Sequence, residues 1–572
     1  MQSNIECNGR RYLSPWERVP GIMAALLIFF CLTSSPLSAV VSTHEKEYFD
    51  IIKGVDLFGE VYREVSTGYV DTLDVSELMY AGIDGMLRTL DPYTVFLDEE
   101  DSGELDEMTS GQYVGVGITI ATLDGGYFVT SVVDGYAAAK AGVKAGDSIL
   151  AINNKEVKNK SLTEVKSLIK GAAGTSLTIQ LKRQGASPFT ASLVREEIRV
   201  NSVSYATLFQ GIGYIEMKNF SARSANELRS AILGLQQEAK EQRTPMKGII
   251  LDLRNNPGGL LNAAVDVTSL FVRKGSEVVS IRGRSVEMAK SYLTETPPLD
   301  VVLPLVVLVN KESASASEIV AGAIQDLDRG VIIGERSFGK GLVQSVIRIS
   351  YDNTLKLTTA KYYTPSGRLI QKEKQEAHES RKVLPKAPVD NAAQVFYTKN
   401  KRKVYGSGGI TPDIELSEQG HSPYLAELRK KGMLFLFSSF YTSSYPVMPP
   451  QPLDRQQLLV SFGNFLRDKK FVYTSESERR FNELKESMNK VQPEHNNIGQ
   501  TSLSELQQEI ERLKEQEIKK ESTGVGKALE VEILRHYDER LARRAELDHD
   551  LTVKKAIEVL SDARQYSRIL HP

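Results

Sequence analysis

Ser315 stands in NKESASASEIV, a run of very small residues after an apolar stretch, and Lys340 follows 25 positions later between two glycines in GERSFGKGLVQ. A serine hydroxyl becomes a nucleophile when it projects from a tight strand-to-helix turn beside a base that takes its proton. Histidine is the usual base. All seven histidines, His44, His378, His421, His495, His536, His549 and His571, fall outside residues 45–377, where the other chemistry-bearing features collect. A Ser-His-Asp triad within that segment is thereby excluded. A lysine replaces histidine only when neutral near pH 7, which means lowering an ordinary pKa of about 10.4 through burial, at a cost of roughly 4 kcal/mol. The pair therefore predicts a dry, packed pocket, with Phe338 as its lining and Gly339 and Gly341 letting the backbone close in.

Neighbouring residues compete for these roles. Ser313 and Ser317 flank the candidate nucleophile, and either is read more simply as a helix cap. Glu318, Asp326 and Glu335 could support the pair, although salt bridges are the simpler expectation. Residues 334–340 also fit the opening of a phosphate-binding G-x-x-x-x-G-K loop. That reading fails locally: Gly341 stands where the magnesium-binding Ser or Thr belongs, and LVQSVIRI alternates as a strand where a P-loop must open a helix.

Strands alternating with helices must position these residues. Over 211–371 the strands GIGYIEM, GIILDL, LPLVVLVN and GVIIG alternate with helices at 224–237, 260–272 and 315–327, and LVQSVIRI follows as another strand. Continuous apolar strands in such a pattern imply a mainly parallel sheet flanked by helices. Sites in such sheets lie beyond the C-terminal strand ends, where NNPGG and NKESASAS both fall. Upstream, residues 40–105 carry a helical apolar pattern that includes Ile51, Ile52, Val55, Leu57, Phe58 and Val61, and it stops at Leu90-Asp91-Pro92. An early helical pair of this kind suits packing or dimerisation. Beyond residue 414 the chain becomes helical and highly charged, read as solvated helices packing through leucines.

The 572 residues allow three or four domains, and the net charge of −2 with no basic stripe gives no nucleic-acid footprint. Cys7 and Cys31 are the only cysteines, so the body of the chain holds no disulfide or cysteine metal site, and no metal or other cofactor is expected. Arg10, Arg11 and Arg18 precede an apolar run over 21–32 and small residues up to Ala39, the layout of an export leader or membrane anchor over 1–39.

Residues 106–200 read as short strands and glycine turns, with GVGI at 115–118 and GDSIL at 146–150. They resemble a PDZ domain. Gly115, Val116, Gly117 and Ile118 match the family's carboxylate-binding loop, Thr119 opens the strand that would pair with an extended peptide, and Lys144 falls where the family often keeps a basic residue. Together with LDPYTVFL, DLRNNPGG, SASASE, GERSFGKGLVQ, LTTAKYYTPSGRLIQ and GGITPD, the chain from about Tyr48 to Asp413 closely resembles the carboxyl-terminal processing peptidases, or tail-specific proteases.

The resemblance implies an α/β protease core of crotonase/ClpP-like type over 201–414, an inserted PDZ domain, and helical regions at 40–105 and 415–572. It makes Ser315 the nucleophile, Lys340 the base and Gln344 the residue orienting that lysine, four positions on and so expected on the same strand face. The oxyanion hole would be the Ala316 N–H with that of Gly258 or Gly259. The expected partners are protein or peptide C-terminal tails, met in the periplasm or at the outer face of a bacterial cytoplasmic membrane. The leader allows membrane association, and a homodimer or higher oligomer is compatible. The alternative is a catalytically silent PDZ scaffold.

Overall fold

The computed structural model describes residues 38–285, 289–372, 394–417, 422–491 and 500–571; the leader reading lies outside them, save for the last two residues of its span. The chain forms two compact units, divided after Pro92. In the first, helix Ser38–Gly68 is followed by helix Val75–Leu87, whose N-terminus Asp74 caps through the Ser76 and Glu77 amides. The Tyr62 hydroxyl donates to the Val75 carbonyl at 2.7 Å. Ile51, Val55 and Leu57 are all exposed in this unit. Helix Val75–Leu87 ends just before the expected Leu90-Asp91-Pro92 stop, and within the second unit strand Val95–Leu97 pairs with Thr354–Tyr363.

The second unit is built on a six-stranded sheet in the order Val203–Phe209, Ile212–Met217, Ile249–Asp252, Leu305–Val309, Val331–Gly334, Ile414–Glu415. The first pair is antiparallel and every later one parallel. IILD, LVVLV and VIIG are buried throughout, as strands covered on both faces must be. Helices Ser224–Glu241, Leu261–Ser269 and Ala316–Asp326 cover one face. The opposite face packs against Leu547, Val553, Ala556, Val559 and Leu560, which meet Ile250, Val306, Leu308 and Ile333. Helices Leu551–Ser561 and Ala563–Leu570 are thus a layer of the core.

A second, five-stranded antiparallel sheet joins Val95–Leu97, Thr354–Tyr363, Glu277–Gly283 and Lys290–Leu293, with Leu342–Arg348 paired to Thr354–Tyr363. LVQSVIRI is a strand as expected, but it belongs to this second sheet. Tyr351 and Asp352, both at positive φ (59° and 57°), turn the chain straight back into a hairpin, so this strand pairs locally.

Residues 118–194 form an antiparallel sheet with its own core around Val129, Ile149, Ile152, Val165 and Ile179. Ile118–Leu123 is an edge strand, and helix Leu162–Ile169 starts in a Ser161/Glu164 capping box. The hairpin tip after this edge strand docks on the C-terminal helices. Leu123 and Phe128 join the cluster of Leu425, Phe437, Phe462 and Ile533, and Lys469 reaches Asp124 at 2.9 Å. Among the described residues no helix is long and apolar enough to cross a membrane.

Candidate active site

Ser315 is the N-cap of helix Ala316–Asp326, reached by a short connection from strand Leu305–Val309, with φ 55° and ψ −113°. A non-glycine residue held there is strained, and the sharp turn lifts its side chain out of the strand line. The neighbouring serines do other work and are not the expected side-chain caps. Ser313 is buried and donates to the Leu253 carbonyl at 2.8 Å, while buried Ser317 donates to the Asn256 carbonyl at 2.9 Å.

The Glu318 side chain is fully buried and gathers the site around itself. One carboxylate oxygen accepts from the Ser315 and Lys340 amides, both at 2.9 Å; the other accepts from the Ser337 hydroxyl at 2.6 Å and the Gly339 amide at 2.8 Å. The backbone nitrogens of the serine and the lysine therefore lie within twice 2.9 Å of each other. Burial pushes the Glu318 pKa up against the pull of these four donors. The salt-bridge expectation is not needed to account for Glu318, which is met by four neutral donors. It holds for Asp326, which meets buried Arg368 at 2.7 Å.

Tyr362, on strand Thr354–Tyr363, adds a second tie. Its hydroxyl lies 3.2 Å from the Ser315 carbonyl and also bonds the Lys340 carbonyl. Burial raises this phenol well above its ordinary pKa, so it stays a donor. Tyr362 lay in the quoted LTTAKYYTPSGR motif, yet periodicity alone gives a strand tyrosine no special role.

Lys340 is half-buried, with Nζ 4.8 Å from the centre of the Tyr93 ring. Phe338, the expected lining, is 42% exposed, while Tyr93 supplies an aromatic ring beside the amine. Gln344 lies on Leu342–Arg348 with Nε2 3.5 Å from Thr358 Oγ1. The same-face argument from Lys340 does not apply. Lys340 precedes the strand, and a register shift falls between Val343 and Gln344, so alternation does not connect them.

Gly258 takes φ 103°, and a Cβ there would stand 2.8 Å from Ser315 Cβ and 3.0 Å from the Ala316 nitrogen. The loop thus approaches the serine as closely as only glycine permits. The Gly258 N–H donates to Asn256 Oδ1 at 2.9 Å. The Gly259 and Ala316 N–H groups have no protein acceptor among the described residues. Asn256, overlooked in the motif, is fully buried, and its Nδ2 donates to the Met217 carbonyl at 2.9 Å.

In the smaller sheet region, Gly115 ends a strand paired to Glu196–Arg199, Val116 is buried, and Gly117 takes φ 80° against Tyr136. Ile118 and Thr119 open the edge strand. Lys144 is exposed on the turn before strand Ser148–Ile152, where its amide donates to Asp147 Oδ2 at 2.9 Å.

Three family profiles match the chain: Peptidase family S41 at residues 211–380, a PDZ domain at 128–183, and the C-terminal helical domain of a probable PDZ-protease at 424–560. The carboxy-terminal-processing protease of Bartonella bacilliformis is 38% identical over 60% of this chain and 78% of its own length. The carboxy-terminal processing protease CtpA of Bacillus subtilis is 32% identical over 70% and 81%. A solved photosystem II D1 C-terminal processing protease aligns at 28% identity over 66% of this chain and 96% of its own, with a TM-score of 0.33. By the family profile and the two bacterial relatives, the chain belongs to peptidase family S41, among the carboxy-terminal processing proteases, and is a serine-type peptidase.

Proposed function

We propose that this peptidase is an endopeptidase that cleaves near the C-termini of exported proteins, with Ser315 as nucleophile, Lys340 as general base and Gln344 as the amide that orients the lysine. The observation carrying this reading is the single Glu318 oxygen that accepts from both the Ser315 and Lys340 amides, beside a serine at φ 55°. Neutral Lys340 takes the hydroxyl proton as Ser315 Oγ attacks the scissile carbonyl. The developing oxyanion is met by the N–H groups of Ala316 and Gly259, while Gly258 supplies the close approach. Lys340 then returns the proton to the leaving amine, and water hydrolyses the acyl-enzyme by the same route. Ser315→Ala and Lys340→Ala are each expected to abolish cleavage of a tail peptide. Lys340→Arg should be equally inactive, since arginine stays protonated; activity in that variant would place the base elsewhere.

Substrate selection is assigned to the PDZ region at 106–200, preceding a core at 201–414. The edge strand Ile118–Leu123 has no strand paired on its outer side among the described residues, so its opening residues Ile118 and Thr119 could receive an extended peptide, and Gly115 to Ile118 form the turn at which its carboxylate would end, with Lys144 as the basic residue nearby. The basic-then-apolar leader supports export. A peptide with a free C-terminus should be cleaved faster than its amidated twin; equal rates would refute carboxylate recognition.

A further inference from the structure

We propose that Asp550, from the C-terminal helices, is a positioning residue for the oxyanion loop and acts on it through Arg254. This rests on the Ser315/Lys340 reading above. Asp550 sits between helices Glu539–His549 and Leu551–Ser561, and its two oxygens have separate tasks. Oδ1 caps the second helix by accepting from the Thr552 and Val553 amides at 2.8 and 3.0 Å. Oδ2 is 2.7 Å from the Arg254 guanidinium. A cap needs only the first of these.

Arg254 belongs to the DLRNNPGG motif and is only 12% exposed at its side chain. Its Nε and terminal nitrogen also meet Asp252 at 3.0 and 2.6 Å, and Asp252 accepts from the Tyr214 hydroxyl at 2.7 Å. Burial alone would raise the Asp252 pKa, but the adjacent guanidinium outweighs it and holds the carboxyl low. One guanidinium is therefore gripped from opposite layers: by Asp252 from the sheet strand and by Asp550 from the covering helices. The chain leaving Arg254 runs directly into Asn255, whose amide donates to Asn310 Oδ1 at 3.0 Å, then into Asn256 and Gly258 beside Ser315. Between that grip and the Asn256 bonds, the loop has little freedom to shift its Gly259 N–H away from a developing oxyanion.

The two-oxygen arrangement makes the test clean, because Asn and Ser at position 550 keep a capping acceptor and lose the charge on Arg254. In the full-length protein, Asp550→Asn and Asp550→Ser are expected to lower kcat by about tenfold or more with KM within about twofold, as for a group felt in the transition state. Thermal stability should change little, and Asp550→Glu should recover part of kcat. Wild-type kcat in both Asn and Ser variants would overturn the proposal, as would a kcat loss that Asp550→Glu does not ease. Ser315→Ala, measured alongside, separates the layers of inference: if it stays active, the Ser/Lys reading fails, and if it is dead while Asp550→Asn is fully active, only the positioning role falls.

Discussion

At the residue scale, the site is organised by a carboxylate that does no bond-making. Glu318 accepts from four neutral donors and so holds the Ser315 turn and the Lys340 loop in fixed relation. Replacing it by glutamine places an amide where only acceptors fit, turning one N–H contact into a donor-donor clash. An unpaired buried donor costs about 1–3 kcal/mol, so Glu318→Gln should lower kcat by roughly 10- to 100-fold, read from steady-state kinetics. Tyr362→Phe removes a single shared donor and should cost less; an equal or larger loss would assign the tyrosine a greater part than holding two carbonyls. Acid separates activity from stability here. Because burial raises the folded-state pKa of Glu318, its contribution to stability is fully present below the unfolded value and fades as pH rises through the folded one. The anion, however, is the form that accepts four donors. Acidification is thus expected to abolish turnover while the thermal transition persists, and coincident loss of both would contradict this role.

At the element scale, residue types announced the main sheet, because IILD, LVVLV and VIIG can only be strands buried on both faces. Ser315 and the glycine loop were legible for the same reason, since each follows such a strand. Lys340 was nominated by elimination of histidine, but its surroundings were not legible, because they come from the second sheet. That sheet draws strands from positions as distant as Val95–Leu97 and Thr354–Tyr363, and alternation within one strand does not reveal its partner. Gln344 shows the consequence: a register shift defeats a spacing argument that assumes an unbroken strand. The docking of the PDZ hairpin was equally hidden, yet it makes a definite prediction. Gly432, at φ 67°, has room for no Cβ, which would stand 2.6 Å from Leu123 Cδ2. Gly432→Ala should loosen the hairpin tip, seen as faster amide exchange over residues 118–132; unchanged exchange would mean that other contacts hold it.

At the scale of the whole molecule, charge patterning beyond residue 414 suggested solvated helices packing through leucines, and Leu547 and Leu560 do pack, but against the main sheet itself, which the pattern could not foretell. The parallel sheet needs both faces covered, and its second face is closed by Val553, Ala556, Val559 and Leu560. Leu560 is packed so tightly that a Cβ on Gly248, at the start of the central strand, would lie 2.8 Å from it. A tail that supplies half of a sandwich cannot be an optional appendage. Leu560→Ala, at a buried position, should cost about 2–5 kcal/mol, read as an earlier denaturant midpoint for the transition in which the main sheet unfolds. A chain ended at residue 417 would leave Ile250, Val306, Leu308 and Ile333 facing water. Contiguous apolar surface of that kind drives association. The shortened protein is therefore expected to aggregate or to bind apolar dyes with no tail-peptide cleavage. If it instead remains monomeric and cleaves at the full-length rate, the C-terminal helices form a separable domain and the shared-core account is wrong.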